Sequence, residues 1–194
     1  MAPDSEELAA PTDRRSRLLA ATIEVVGERG WGATALDDVV ARAGLSKRAV
    51  YDLFGDKLAC FVAAARAVIE RVTALTLAAY RGVADPRDGL AAGIDALLRF
   101  CGRDPRLGRF YLVETAAAGP TGAALWREHM EAMSERAACA LRDVRPELPA
   151  HAGSMAVGGV YTVAQARVLA GEARALPELA PEMTAALWMT LGIE

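Results

Sequence analysis

The sequence predicts an all-α protein of about nine helices, with a small three-helix N-terminal domain followed by a larger helical bundle. The chain of 194 residues is 53% hydrophobic but only 6% aromatic. Alanine supplies much of the apolar content, and alanine favours helices over pleated sheets. Apolar residues recur every three or four positions, and no segment alternates as a strand does.

The first helix is predicted over residues 13–29. Residues 1–11, which hold two prolines and several acids, are expected to form a flexible arm before it. Leu19, Ile23 and Val26 follow the spacing of an amphipathic helix. A glycine then ends the helix.

Two short helices follow, separated by a glycine. Thr34 stands three residues before Asp37, an arrangement that predicts a capping box for a helix over 36–43. Ser46 is a suitable N-cap for a second helix over 47–54. This arrangement predicts a helix-turn-helix, whose second helix fits the major groove of DNA.

The remaining chain reads as a series of helices. They are predicted over residues 58–80, 90–101, about 107–114, 121–144, 151–173 and 181–191. The longest uncharged run, residues 151–166, is too short and too polar to span a bilayer. The N-terminus lacks an apolar signal segment, so we expect a cytoplasmic protein without a membrane partner.

The composition also bears on enzyme function. Two histidines and three widely spaced cysteines, without a glycine-rich phosphate loop or a Glu-x-x-His pair, provide no catalytic, metal or cofactor site. The cysteines are expected to be reduced thiols. The net charge of -3 argues against non-specific coating of nucleic acid.

The second short helix carries the candidate DNA contacts. Lys47 and Arg48 lie in its first turn, and the planar guanidinium of Arg48 can donate two hydrogen bonds to guanine. Ser46 and the free amides behind it suit a phosphate. Tyr51, one turn further, and Lys57 can reach other phosphates. Taken singly, the two cations are more often a solvated helix face, Tyr51 a partly buried residue and Ser46 only a cap.

Residues 18–61 resemble a known family. The matching residues are Leu18-Leu19, Gly30-Trp31, Thr34, the run ARAGLS ending at Ser46, Tyr51, Phe54, Lys57 and Leu58. They are similar to the N-terminal domain of the tetracycline-repressor (TetR) family of bacterial transcription regulators. The resemblance implies DNA contacts at Thr34, Ser46, Lys47, Tyr51 and Lys57. Arg48 replaces a usually small residue, and Asp52 and Leu53 replace common aromatic or histidine residues, so the operator is expected to differ.

The resemblance implies a DNA-binding domain over 12–56 and a ligand-binding and dimerisation domain over 57–194. Basic and acidic residues nearly balance over 12–60. DNA binding therefore requires the basic residues to share one side: Arg14, Arg15, Arg17, Lys47, Arg48 and Lys57. The acids are expected to face elsewhere: Glu24, Glu28, Asp37 and Asp38.

A single helix-turn-helix makes too small a contact for site-specific regulation, so a homodimer on a palindromic operator is expected. Apolar residues of the last two helices form the predicted interface: Val157, Val160, Ala164, Val168, Met183, Leu187 and Leu191. The alternative is that these residues form the core of one chain.

The middle helices are expected to enclose a small-molecule cavity. Its predicted lining is Phe100, Phe110, Tyr111, Glu114, Trp126, Met130, Met133 and Tyr161. Glu114 either faces water or meets a polar or cationic group, His129 is expected at the surface, and His151 is expected to begin a helix.

The predicted function is a ligand-responsive repressor. A small apolar ligand is expected to move the base of the long helix over 58–80, change the spacing of the recognition helices and release DNA. The alternative is a helical interaction protein with a decayed helix-turn-helix that acts through a protein partner.

Overall fold

The computed structural model describes residues 13–193. The arm predicted over 1–11 lies outside the described residues. Within the described range the chain forms helices and turns without a strand, which confirms the predicted all-α class.

The N-terminal helices begin and end at residues with clear capping roles. They are α1 (Arg14–Arg29), α2 (Leu36–Ala43), α3 (Lys47–Phe54) and the long α4 (Lys57–Arg81). Asp13 caps α1 by accepting a hydrogen bond from the Ser16 amide at 2.9 Å. Asp56 caps α4 by accepting one from the Ala59 amide at 2.7 Å. Gly44 takes a left-handed conformation (φ 61°) and turns the chain from α2 to α3.

The predicted capping box of Thr34 and Asp37 is wrong by one residue. Ala35 is the N-cap of α2, and its backbone N–H donates to Asp38 Oδ2 at 2.9 Å. The Thr34 hydroxyl instead donates to the Gly30 carbonyl at 2.7 Å. Thr34 is therefore part of the buried turn that follows α1.

The first four helices share a small core of their own. Leu18 and Val25 of α1, Val39 of α2, Val50 of α3 and Cys60 of α4 are all buried in it. These positions repeat with helical spacing on the inner face of each element. Because the core fixes the rotation of α3 about its axis, it also determines which α3 residues face solvent.

The rest of the described chain forms the larger bundle. Its elements are α5 (Pro86–Arg103), α6 (Pro105–Arg109), a π-helical turn (Phe110–Glu114), α7 (Thr115–Ala117), α8 (Gly119–Val144), α9 (Ala152–Leu169), a 3-10 helix (Ala173–Leu179) and α10 (Ala180–Leu191). The segments from α6 to α7 follow one another without a break. The predicted helix over 151–173 ends early, because Gly171 (φ 81°) turns the chain into the 3-10 helix.

The small core is joined to the bundle by a shared helix and by one close packing contact. Helix α4 contributes Cys60 to the small core and Phe61 to the large one. Gly27 of α1 packs on α6 so tightly that a Cβ atom there would lie 2.2 Å from the Arg106 carbonyl oxygen. The position of α1 thus depends on that of α6.

No helix within residues 13–193 has the length and apolar character needed to cross a membrane. In the same range no group of three His, Cys, Asp or Glu side chains is arranged to hold a metal ion. The thiols of Cys60 and Cys101 are buried, that of Cys139 is exposed, and all three are free.

Candidate DNA-binding surface and ligand cavity

Helix α3 presents one polar face to solvent. Ala49 and Val50 are 4% and 0% exposed and anchor the helix on the small core. Lys47, Arg48 and Tyr51 lie on the opposite, exposed face. The Tyr51 side chain is 55% exposed, so the interpretation of this residue as partly buried core is wrong. We call this exposed face, with Ser46, the α3 face.

Ser46 lies at the start of the α3 face. It is the N-cap of the helix, with extended backbone angles, but its side chain forms no capping hydrogen bond. The hydroxyl and the first amides of α3 are therefore available together at the positive end of the helix dipole. This is the arrangement that binds a phosphate oxygen.

The cations of the α3 face stand beside acids. Lys47 Nζ lies 2.8 Å from Asp37 Oδ1, and this hydrogen bond raises the pKa of the lysine. The expectation that Asp37 faces elsewhere is therefore wrong, because the start of α2 lies beside the start of α3. Arg48 Nε lies 3.7 Å from Asp52 Oδ2, and the arginine side chain is 88% exposed. A pair this open contributes little energy, so the guanidinium can leave it for a base.

The other predicted DNA contacts, Lys57 and Thr34, lie in the turn after α1. The Lys57 ammonium donates a hydrogen bond to the Thr34 carbonyl and lies 4.0 Å from the centroid of the Trp31 ring. Partial burial lowers the pKa of Lys57. The Thr34 side chain is buried and bonded to the Gly30 carbonyl, so its hydroxyl does not reach the surface. These residues hold the turn in shape.

The remaining charges of the N-terminal helices form an ion-pair network. Arg17 Nη2 donates to the Ala43 carbonyl at 2.6 Å, which fastens α1 to the end of α2. The ion pairs are Arg29 with Asp38, Arg42 with Glu24 and Glu28, and Arg106 with Glu24 and Glu28. Glu24, Glu28 and Asp38 are thereby neutralised by arginines, whereas Arg14 and Arg15 at the start of α1 are exposed.

A cavity of about 320 Å³ opens between α4, α5, α8, α9 and α10. Apolar side chains make most of its wall: Leu77, Ile94, Leu97, Val157, Val160 and Leu187. Of the predicted lining, only Met133 and Tyr161 border the cavity. Its size lies at the lower end of the range for ligand pockets, about 300–1,000 Å³.

The other predicted lining residues belong to the closed core, so the prediction is wrong for them. Phe110 packs on Phe61 with ring centroids 5.2 Å apart. Phe100 and Trp126 pack around Tyr111, at 6.3 and 5.5 Å between centroids. Met130 packs against the same core, and Glu114 faces the turn after α1. These large side chains fill space in the bundle that was expected to be empty.

A buried polar cluster reaches the cavity wall. The Tyr111 hydroxyl lies 2.7 Å from His129 Nε2 and 2.5 Å from the Tyr161 hydroxyl. The prediction of a surface His129 is wrong, because the ring is 5% exposed on the inner side of α8. Burial lowers the pKa of His129 to about 4 and raises the pKa of both tyrosines. All three groups are therefore neutral at pH 7.

Glu114 joins the π-helical turn to the turn after α1. Glu114 is 5% exposed. It accepts a hydrogen bond from the Trp31 amide at 2.8 Å and one from Arg109 Nε at 3.0 Å. Of the two alternatives for this residue, the polar and cationic one is observed. Sequence reasoning missed Trp31 as its partner, because the two residues are far apart along the chain.

The predicted dimer residues of α9 are core residues of one chain. Val157, Val160, Ala164 and Val168 are all buried, which favours the alternative interpretation for them. Met183, Leu187 and Leu191 are half-buried against the same chain. The exposed residues of α9 and α10 are mostly apolar or small: Met155, Gly159, Thr162, Val163, Ala166, Leu169, Ala185, Ala186 and Met189. We call this set the α9–α10 outer face.

The fold is shared with known structures. The fatty acid degradation regulator FadR from Bacillus halodurans superposes with a TM-score of 0.80 at 16% identity, over 89% of this chain and 96% of that one. A TetR-like transcriptional regulator from Rhodococcus sp. RHA1 gives a TM-score of 0.74 at 22% identity, over 96% and 100%. Identities this low show a common fold.

Sequence similarity to curated relatives covers about half of the chain. The transcriptional activator FasR from Mycolicibacterium smegmatis is 33% identical over 92 residues, 47% of this chain and 42% of the relative. The transcriptional regulator BetI from Rhizobium meliloti is 28% identical over 86 residues, 44% and 42%. The chain spans about half the length of the curated relatives it matches. Residues 18–64, which include α2, α3 and the start of α4, match the model of the bacterial regulatory proteins of the tetR family. The N-terminal part of the chain is therefore similar to this family.

Proposed function

We propose that the protein is a ligand-responsive, site-specific DNA-binding transcriptional regulator. It binds a palindromic operator as a homodimer and leaves it when a small apolar ligand binds. The α3 face is the observation that carries the proposal, because Ser46, Lys47, Arg48 and Tyr51 stand exposed on a helix anchored by its opposite side. A helix presented in this way fits the major groove.

Each exposed residue then has a role in the complex. Arg48 donates two hydrogen bonds to a guanine. To do so it breaks only its exposed ion pair with Asp52, at 3.7 Å. Ser46 and the first amides of α3 bind one phosphate, and the Tyr51 hydroxyl binds another. Lys47 exchanges Asp37 for a phosphate. Thr34 and Lys57 act indirectly, because they hold the turn against which α2 packs.

The homodimer forms through the α9–α10 outer face. Met155, Leu169 and Met189 are 63%, 61% and 77% exposed, and such apolar side chains favour burial against a second chain. A two-fold axis repeats the same surface on both chains and sets two recognition helices about 34–36 Å apart. The residues predicted from the sequence lie behind this face, where they support it from the core.

A chain of contacts connects the cavity to the DNA-binding helices. Tyr161 borders the cavity and bonds to Tyr111 in the π-helical turn. Glu114 ends that turn and holds the Trp31 amide after α1. A ligand that displaces Tyr161 thereby shifts the turn and, with the base of α4, the spacing of the two recognition helices. Release requires the ligand to bind the DNA-incompatible arrangement more tightly, typically by about 1–3 kcal/mol.

Repression is the proposed direction of control, because release of an operator by ligand restores access to the promoter. FasR, which is similar to this chain over 92 residues, is named an activator. A reporter gene placed behind the operator separates the two directions. Expression that rises on deletion of the regulator supports repression, and expression that falls contradicts it.

The proposal is tested by selecting bound sequences from a random duplex pool at stated salt. The test variant is Tyr51→Ala on the α3 face. The control variant is Arg99→Ala, at an exposed position of α5. A palindromic motif that wild type and Arg99→Ala recover, and that Tyr51→Ala binds more weakly, supports the proposal. No enriched motif from folded, dimeric protein contradicts it and favours the alternative of a helical protein that acts through a protein partner.

A further inference from the structure

The interior of the cavity suits hydrocarbon. Of its polar lining side chains, the two buried ones are already paired: the Thr76 hydroxyl donates to the Val72 carbonyl at 2.9 Å, and the Tyr161 hydroxyl bonds to Tyr111. A ligand that placed a charge or an amide against these walls would lose its hydration without gaining a partner. The part of the ligand inside the cavity is therefore apolar.

The rim of the cavity has a different character. Arg81 in the last turn of α4 and Arg136 of α8 both border it, and both are exposed. Neither guanidinium forms an ion pair or a hydrogen bond with any other residue in the range 13–193. Asp143 is the acid among the lining residues, so the rim holds two cations and one anion. After burial, the charge of Arg136 also contributes to the lowered pKa of His129.

The volume of the cavity limits the size of the apolar part. An apolar cavity of about 150 Å³ in another protein accepts benzene, with six carbon atoms. By the same ratio, a cavity of about 320 Å³ accepts roughly a dozen carbon atoms. Longer chains extend through the open mouth into solvent.

The geometry points to an amphiphile with an anionic head group as the ligand: a hydrocarbon part of roughly twelve carbons in the cavity, and a carboxylate or similar acid on Arg81 and Arg136. This inference rests on the proposed function of the cavity as the regulatory site. The head group discriminates between ligands, because an amine of the same length meets two like charges at the rim.

Direct binding to the purified protein tests the inference without DNA. Dodecanoate, dodecanol and dodecylamine are titrated calorimetrically below their micelle concentrations. We expect dodecanoate to bind at least tenfold more tightly than dodecylamine, with dodecanol between them. Arg81→Gln and Arg136→Gln should each weaken dodecanoate about fivefold, the value of one exposed charge pair, and leave dodecanol unchanged.

Two further variants locate the site. Arg142→Gln removes a charge from α8 away from the lining and should change none of the affinities. Gly93→Leu narrows the cavity, where an added Cβ meets nothing closer than 3.6 Å, and should weaken dodecanoate and dodecanol alike. Dodecanoate binding that Gly93→Leu leaves intact would place the ligand elsewhere and overturn the inference.

The outcomes distinguish this inference from the proposed function. Dodecylamine binding as tightly as dodecanoate overturns the anionic head group and leaves a cavity for apolar ligands. No binding by any of the three compounds overturns both the head group and the regulatory cavity. Sequence-selective DNA binding is measured separately without ligand, so its failure concerns only the DNA-binding part of the proposal.

Discussion

The contact between Glu114 and the turn after α1 yields a graded prediction for stability. Glu114→Gln keeps an oxygen that can accept a hydrogen bond from the Trp31 amide. It loses the negative charge that pairs with the Arg109 guanidinium. The Arg109 side chain is 43% exposed, so solvent screens this ion pair and its loss costs at most about 1 kcal/mol. Glu114→Ala also leaves the part-buried Trp31 amide without its 2.8 Å partner, which adds about 1–3 kcal/mol.

The assay is urea denaturation of the two variants and of Arg109→Gln, followed by circular dichroism. The expected order of unfolding free energy is wild type, then Glu114→Gln and Arg109→Gln together, then Glu114→Ala about 1–4 kcal/mol below wild type. Glu114→Ala should also lose more of the ligand-induced release of DNA than Glu114→Gln does. A Glu114→Ala protein within about 0.5 kcal/mol of wild type would refute the reasoning, because surface substitutions without a structural role fall in that range.

Three other predictions concern the core, the helix contact and the dimer. Because burial lowers the pKa of His129 to about 4 from its ordinary 6.5, the unfolded chain binds a proton that the folded chain does not between these values. The contribution of His129 to the free energy of unfolding is therefore complete above about pH 6.5, and it falls by about 3 kcal/mol as the pH drops to 4. His129→Gln should reduce this dependence of the unfolding free energy on pH in urea titrations. An unchanged dependence on pH would contradict the lowered pKa of His129. Gly27→Ala should lower the unfolding free energy by about 1–2 kcal/mol, because the new Cβ would lie 2.2 Å from a backbone oxygen of α6. The higher helix propensity of alanine offsets only part of this strain. A variant that is more stable in thermal melts would contradict the close contact between α1 and α6. Met189→Glu, at a position 77% exposed, should convert the dimer to a monomer in sedimentation without loss of helicity, whereas a dimer that persists would exclude this part of the α9–α10 outer face from the interface.

The helix-turn-helix was predictable because local chemistry determines it. The bounds predicted for α2 and α3 agree with the structure, since a glycine ends each helix and Ser46 precedes α3. The misplaced cap at Thr34 shows the limit of this reasoning. Its hydroxyl could cap the helix or close the turn onto Gly30, and only the packing of that turn decides between them.

The position of the cavity was not predictable from composition. Large apolar residues such as Phe110 and Tyr111 fill space, so they mark the densest part of the bundle rather than its cavity. The cavity is instead bordered by smaller residues where five helices fail to meet, such as Gly93 and Ala156. The sequence of one helix does not determine where several helices leave a space between them.

The prediction of the dimer face failed for a different reason. Helix α9 is nearly uncharged around its circumference, so apolar spacing identifies more than one face and cannot choose between them. The core of the bundle buries the face that includes Val157 and Ala164 and leaves Met155 and Leu169 outside. His129 shows the same difficulty, because its charged neighbour Glu128 suggested a surface position while the histidine itself points inward.

The central claim is that the α3 face reads a specific DNA sequence. Its most direct test is the affinity of wild type, Arg48→Ala and Tyr51→Ala for the selected duplex and for a scrambled duplex, across a series of salt concentrations. Arg48→Ala should lose about 1–3 kcal/mol on the selected duplex only, and Tyr51→Ala should weaken both duplexes. Equal affinities of all three proteins for the selected duplex would contradict the claim.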